Sequence, residues 1–360
     1  MRKLASIKRV ISVSPIAGAD RIEVCQIDGW QVVVKKDEVK VGDLVVYFEI
    51  DSLLPEAEWS EFMRDRKFRV RTIKLRKQVS QGLVLPLSIL PEGKYNDGDD
   101  VTEILGVKKY EPYAEQEKEL EEKVIKNSKY PKFLMKYKWF RKLVLPKKQM
   151  KGFPSFISKT DETRVENIPN ILKNKDHWVA TEKIDGTSST YILVRHKRKF
   201  AFQKDKFEFI VCSRNLRLWS EDDTIYWKNA KKYDIENTLK AMIGGNDSFV
   251  AIQGESIGQN VQGNKYKRTE PELYVFNVIY PEGRMDSVKA KRKVEQFGLK
   301  FVPILDTEYV LPDTIAELRK YAHGKSQLAN INREGIVFRS KDGINSFKCV
   351  DPEFLLKYDE

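Results

Sequence analysis

The segment Thr181-Glu182-Lys183-Ile184-Asp185-Gly186-Thr187 sets one amine between two carboxylates and closes on a glycine. A lysine amine becomes a nucleophile once it loses its proton, and an apolar strand leading into it would hold it rigidly at a pocket edge. Lys-x-Asp-Gly alone is a weak signal in a lysine-rich chain, where such strings are often surface turns. Four further segments follow in order. Cys212-Ser213-Arg214-Asn215 and Ile252-Gln253-Gly254-Glu255 each end an apolar run. Arg333-Glu334-Gly335-Ile336-Val337 begins one, and Ser346-Phe347-Lys348-Cys349-Val350 lies near the C-terminus. Asp185, Glu255 and Glu334 are hard oxygen donors suited to Mg2+ or Mn2+; Mg2+ keeps several waters and needs only one or two protein oxygens. Beside a glycine, an acid is otherwise an ordinary turn residue.

The elements that must position these residues follow from the pattern. In residues 21–36, Ile22, Val24, Ile27, Trp30, Val32 and Val34 flank an Asp28-Gly29 turn signal. Val41-Gly42-Asp43 opens a strand over 44–50. Phe68, Val70 and Ile73 alternate with Arg69, Arg71 and Lys74, which predicts one apolar and one basic face. Another short strand covers 82–87. Short strands separated by turns suggest a small barrel; an OB-fold is the preferred reading and another small β-sandwich the alternative. Residues 111–122 are acidic and helix-permissive. From 152 the pattern is mixed. Strands are expected at 178–183, 190–194, 208–212, 249–253 and 273–279, and helices at 225–243, 287–297 and 312–322. The last helix would start at Pro312 and Asp313 and stop before Gly324. A strand pair, 336–338 and 346–350, is expected around Asp342-Gly343. There is no internal repeat.

Charge and composition narrow the function classes. With 360 residues the chain has room for two cores. Net charge is +12, and residues 123–151 hold eleven Lys or Arg and no Asp or Glu. Tyr130, Phe133, Tyr137, Trp139 and Phe140 lie among those cations. Phosphates pair with such cations and bases stack on such aromatics. The same stretch also reads as a basic-faced helical linker whose aromatics pack on a neighbouring domain, and the two readings are compatible. No apolar run approaches the roughly 18 residues of a membrane span, and the N-terminus lacks a signal-peptide pattern. The expected location is the cytoplasm, with the nucleus as the other choice. Cys25, Cys212 and Cys349 are too far apart in sequence for a CxxC pair or zinc knuckle, and three scattered histidines suggest neither a metal cage nor a triad.

The five chemistry-bearing segments, in their order and approximate spacing, resemble the covalent nucleotidyltransferase superfamily of DNA ligases, RNA ligases and mRNA capping enzymes. Phe153-Pro154-Ser155-Phe156-Ile157-Ser158-Lys159-Thr160-Asp161-Glu162-Thr163-Arg164, Phe276-Asn277 and the short tail after Lys348 look like the Deinococcus–Naegleria type of ATP-dependent RNA ligase. That type carries its OB domain before the catalytic domain, whereas DNA ligases and capping enzymes carry theirs after it, where this chain has no room. The likeness covers most of the chain. It implies an α+β protein: an OB-fold β-barrel at 1–108, a helical basic linker at 109–151, and at 152–360 a nucleotidyltransferase domain of the ATP-grasp-like DNA/RNA ligase kind, with antiparallel sheets and helices.

The resemblance also implies roles. Lys183 would be the nucleophile and Lys348 the stabiliser of the α-phosphate. The free amine has a pKa of about 10.4, so Lys348 and a divalent metal are expected to lower it by repulsion. Glu334 is the first choice of metal ligand and Asp185 the second, while Glu255 would take the ribose hydroxyls or the metal. Arg214 and Asn215 would meet ribose and phosphate. Glu182, Asp185 and Gly186 would line the nucleotide, Glu182 on the adenine side. Phe276 would stack on adenine or, alternatively, be a core residue. Lys159 or Arg164 would meet the β- and γ-phosphates. One departure stands out: relatives have Lys-x-Lys in the last motif, but here Ser346-Phe347-Lys348 supplies one cation. The implied activity joins 3′-OH and 5′-phosphate RNA ends through lysyl-AMP and RNA-adenylate, sealing nicks in a duplex as a monomer. The alternatives are a DNA ligase, a capping guanylyltransferase or a non-catalytic nucleic-acid-binding relative.

Overall fold

The computed structural model describes residues 3–110, 133–137, 139–140, 152–198, 204–218 and 224–358. The acidic run 111–122 and most of the expected linker lie outside these residues. Phe133, Tyr137 and Trp139, inside them, are exposed.

Two compact units result. The first gathers Met1–Lys129, Val165–Ile171 and Pro352–Glu360; the second is Tyr130–Arg164 with Leu172–Asp351. These units differ from the expected division at 152 in that two pieces of the C-terminal half belong to the first unit. Hydrogen bonds give the reason. The Trp30 indole N–H donates to Asn167 Oδ1 at 2.7 Å, Asn167 Nδ2 donates to Glu49 Oε1 at 3.0 Å, and the Gly29 amide donates to the Glu166 carbonyl at 3.0 Å. At the other end of the chain, Lys74 pairs with Glu353 at 2.8 Å and Phe354 is buried.

The first unit is made of β1 (Ala5–Arg9), β2 (Ser12–Pro15), β3 (Ile22–Ile27), β4 (Trp30–Lys35), β5 (Leu44–Phe48), β6 (Ser52–Leu53), β7 (Thr72–Leu75), β8 (Gln78–Gln81), β9 (Leu83–Leu85) and β10 (Lys108–Lys109). They pair antiparallel as β1-β5-β9, β2-β3-β4, β7-β8 and β6-β10. The alternation expected of β4 holds: Trp30, Val32 and Val34 are buried, while Gln31 and Lys35 are exposed. Asp28 takes a left-handed φ of 49° and closes the β3–β4 hairpin beside Gly29. The expected basic face around Phe68 needs correction. Arg69 is buried, because Asp51 at 2.9 Å and the face of Tyr110 at 3.9 Å together replace its water.

The second unit holds β11 (His177–Lys183), β12 (Thr187–His196), β13 (Lys206–Cys212), β14 (Arg217–Leu218), β15 (Phe249–Ile257), β16 (Glu272–Tyr280), β17 (Gly283–Arg284), β18 (Lys300–Phe301), β19 (Ile304–Val310), β20 (Gly335–Ser340) and β21 (Ser346–Val350). One sheet runs β14-β13-β12-β15-β16-β17, with β18 parallel to β16; the other runs β19-β11-β20-β21. Helices α1 (Ile225–Lys232), α2 (Ile235–Met242), α3 (Ser287–Glu295) and α4 (Ile315–Ala322) accompany them, and α5 (Pro352–Tyr358) belongs to the first unit. The helix expected over 225–243 is broken in two at Asp234, whose φ of 44° no helix continues through. The start expected at Pro312 falls instead after Thr314. Its hydroxyl accepts from the Glu317 amide and the Glu317 carboxylate accepts from its amide, a reciprocal cap that stabilises by about 1 kcal/mol. Tyr191, Leu193, Val211, Leu239, Ile252 and Val275 centre the larger core. Across the smaller sheet Phe338 stacks on Phe347, and Trp178 meets Phe347 edge-on. Among the described residues no helix is long and apolar enough to cross a membrane.

Candidate active site

Strand register brings the distant motifs together. β11 runs antiparallel to β20 with Lys183 opposite Gly335, so Glu334, just before β20, lies beside the end of β11. Lys183 Nζ donates to Glu334 Oε2 at 2.6 Å. On the far side of β20, β21 sets Lys348 opposite Val337. The chain then leaves β11 through Ile184-Asp185-Gly186 and enters β12 of the larger sheet. There β15 lies alongside with Glu255 opposite Ser188, just past an irregularity in β15 pairing at Gln253 and Gly254. A Cβ on Gly186 would fall 2.6 Å from the Ser256 carbonyl oxygen and 2.9 Å from Glu255 Cγ. The glycine of Lys-x-Asp-Gly is thus what lets the sheet-to-sheet crossing lie against β15.

The loop between β15 and β16 supplies partners that sequence reasoning missed. Lys265 pairs with Asp185, the Asp185 amide donates to the Tyr266 hydroxyl at 3.0 Å, and Gln262 Nε2 donates to the Gly186 carbonyl at 3.3 Å. Its polar residues read only as a loop, and no spacing rule tied them to Asp185. Glu182 is buried and spends both oxygens on another loop: the Ser326 hydroxyl and, at 2.8 Å, the Gln327 amide donate to it. Arg333 anchors that loop on the last carbonyls of α4, donating to Ala322 at 2.8 Å and Tyr321 at 2.6 Å. The expected adenine contact of Glu182 therefore has only its remaining lone pairs to use.

A second cluster lies around Lys348. Asp161 Oδ1 is 3.1 Å from both Lys348 Nζ and an Arg214 guanidinium nitrogen. Lys159 Nζ donates to Asn215 Oδ1 at 3.2 Å. Arg164 is buried beside Lys348, whose amide donates to the Thr163 carbonyl at 2.8 Å. At the place of the absent cation, Ser346 Oγ donates to Glu162 at 2.5 Å and accepts from Arg284 at 3.1 Å. Arg339 lies 3.6 Å from Glu162 and donates to Asn277 and Thr181. Phe276 is half-buried with the Arg339 guanidinium 5.5 Å from its ring centre.

Comparison with known proteins fixes the family. A family model described as an OB-fold domain matches residues 4–87, and one described as RNA ligase matches 176–358. A search of curated protein sequences returns no match. Among solved structures, the Naegleria gruberi RNA ligase with pyrophosphate is 34% identical with a TM-score of 0.79, covering 100% of this chain and 99% of that one. A glutamate-to-alanine mutant of it with ATP and Mn matches at 34% identity and TM-score 0.78, covering 100% of each chain. This chain belongs to the RNA ligase family.

In this RNA ligase the two clusters have opposite electrostatics. Burial alone would lower the pKa of Lys183, but Glu334, Glu255 and Asp185 outweigh it and the amine is held above its ordinary value. These carboxylates act in the ligand-free site, whereas the lowering expected from Lys348 and a divalent metal concerns the loaded one. Burial pushes Glu255 up to about 8 and Asp185 up to about 6, with Glu334 adding to each. Lys348, by contrast, is lowered to about 8, first by burial and then by Arg164 and Lys183 against the pull of Asp161. Among the described residues no three His, Cys, Asp or Glu converge closely enough to hold a metal together. The crowded carboxylates nevertheless fit a hard cation bound by one or two of them through water, because such a charge would relieve the repulsion that raises Glu255 and Asp185.

Proposed function

We propose that the chain seals RNA by an ATP-dependent, three-step route centred on Lys183. RNA is its substrate. The Lys183 amine attacks the α-phosphorus of ATP, a phosphoramidate N–P bond forms, and pyrophosphate leaves. AMP then passes to an RNA 5′-phosphate, freeing the lysine. A 3′-OH attacks that activated phosphate, forming the phosphodiester and releasing AMP. The observation that carries this reading is the placement of Lys183 at the end of β11, with Glu334 at 2.6 Å and Lys348 on the same sheet.

The residues divide the work by charge. Glu334 holds Lys183 at the strand end and accepts its proton through the hydrogen bond they share. Lys348, with Arg164 behind it, faces the α-phosphate. Lys159, Arg214 and Asn215 meet ribose and the outer phosphates, and Arg284 supplies the cation that Ser346 lacks. A divalent ion bound at Glu334 or Asp185 would supply charge neutralisation for the phosphates. The Naegleria relatives include a lysine-to-methionine mutant with AMP and Mn, and an aspartate-to-alanine mutant two positions along, the spacing of Lys183 and Asp185. Two others replace a glutamate and a lysine separated as Glu334 and Lys348 are. This spacing supports the carry-over of roles. The fitting substrate is a nicked duplex with an RNA 3′-OH strand, handled by a monomer. Three buried cysteines, none of them in a disulfide, suit a reducing compartment such as the cytoplasm.

Incubation with α-labelled ATP and Mn2+ tests the reading. Label is expected on the wild-type chain, on Lys183 by peptide mapping, and absent from Lys183→Ala. Equal labelling of both would end the assignment.

A further inference from the structure

The β7–β8 hairpin ends in a turn that its own residues disfavour. Leu75 pairs with Gln78, so Arg76 and Lys77 alone form the loop. Both take left-handed backbone, with φ of 49° and 68°. Two-residue hairpin loops of this kind favour Asn-Gly or Gly-Gly, because a β-carbon at positive φ crowds the following carbonyl. Two adjacent cations add mutual repulsion. Both side chains are exposed, and among the described residues neither makes a hydrogen bond or an ion pair. Nearby cations are matched instead: Arg69 by Asp51 and Lys74 by Glu353. The sequence offers no local relief, since Arg66 to Pro91 holds seven Lys or Arg and no Asp or Glu.

Backbone strain of this sort clusters at ligand clamps and other functional segments. We propose that Arg76 and Lys77 form a docking tip for the sugar-phosphate backbone of the RNA substrate. The short rigid hairpin projects two charges together without the entropy cost of ordering a long loop, and the contact is indifferent to base sequence. The inference rests on the RNA-sealing reading above and adds a specific contact to it. Each cation that neutralises a phosphate releases counterions, so binding should depend on salt.

The test is the double variant Arg76→Asn/Lys77→Gly, which installs the favoured turn and removes both charges. Its thermal midpoint is expected to match or exceed that of the wild type. Affinity for a fluorescein-labelled nicked RNA duplex is expected to fall roughly tenfold at low salt, and the slope of log affinity against log salt to shrink by about 1 to 2. The exchange Arg76→Lys/Lys77→Arg keeps charge and strain and is expected to bind like the wild type. Unchanged affinity and slope in the first variant would overturn the proposal, as would equal losses in both. Lysyl-AMP formation is measured alongside. Its absence from the wild type would sink the catalytic reading, while the hairpin is judged on duplex binding alone.

Discussion

Lys183 and Lys348 stand on one sheet with a single strand between them, yet their surroundings drive them apart. Three carboxylates surround Lys183 and keep it a cation. Lys348 is half-buried beside Arg164 with Asp161 as its main counter-ion, and its pKa is lowered. Burial disfavours both ammonium groups, so the difference comes from the count of neighbouring charges. The ligand-free enzyme therefore keeps Lys183 protonated and hydrogen-bonded to Glu334. Arrival of a polyphosphate and a divalent ion, which compete for the same partners, is what would free it.

The comparison can be broken outright by removing the proposed nucleophile. Lys183→Ala should reduce covalent AMP labelling at least a thousandfold. Lys183→Arg should do the same, because a guanidinium stays charged; measurable labelling of the arginine variant would show that the proton is not what limits attack. Next in size is Lys348→Ala. Losing one charge aimed at the α-phosphate should slow lysyl-AMP formation by roughly 10² to 10³ in single-turnover assays, with partial recovery in Lys348→Arg. A rate within twofold of wild type would remove Lys348 from the chemistry.

Smaller effects sharpen the contrast. Glu334→Gln takes away the nearest anion, so the pKa of Lys183 should drop. Amine-modification rates followed by mass spectrometry against pH would read this, and an upward shift would contradict the carboxylate account. Lys348 gives a pH signature of its own. Its native value of about 8 lies below its unfolded value of 10.5, so the unfolded state binds more protons between them. Its burial penalty is therefore present in full below about 8 and is relieved as pH rises toward 10.5. The difference in stability between wild type and Lys348→Met should accordingly narrow across that window in denaturant titrations. Smallest in catalytic effect, Glu182→Ala strips the acceptor from Ser326 and Gln327 and should cost about 1–3 kcal/mol of stability. An unchanged unfolding midpoint would mean that the loop is held elsewhere.

The motifs were legible because each lies in or beside an apolar strand run. Lys183, Asp185, Glu255, Glu334 and Lys348 could be named from that pattern and from family likeness. The strands of the second unit also fell close to their expected places, since buried antiparallel runs leave a continuous apolar trace. Long-range pairing was not legible. Lys265 meets Asp185, and Arg284 meets Ser346, across separations that no local period encodes. The break at Asp234 was hidden because the apolar spacing carries on through it. Arg69 was misplaced because alternation cannot show that Asp51 and Tyr110 wait on the inner side. The carboxylates that hold the Lys183 pKa up in the ligand-free site were not legible for the same reason: they converge only in space.

The return of Val165–Ile171 and Pro352–Glu360 to the first unit has a practical consequence for anyone dissecting this enzyme. The polypeptide crosses from one unit to the other four times, so no single cut yields two self-sufficient halves. A fragment begun at 152 would carry Val165 and Phe354 stripped of the barrel that covers them, and should aggregate or need a barrel supplied in trans. Exchange of the barrel between relatives would have to take those two short segments along with it.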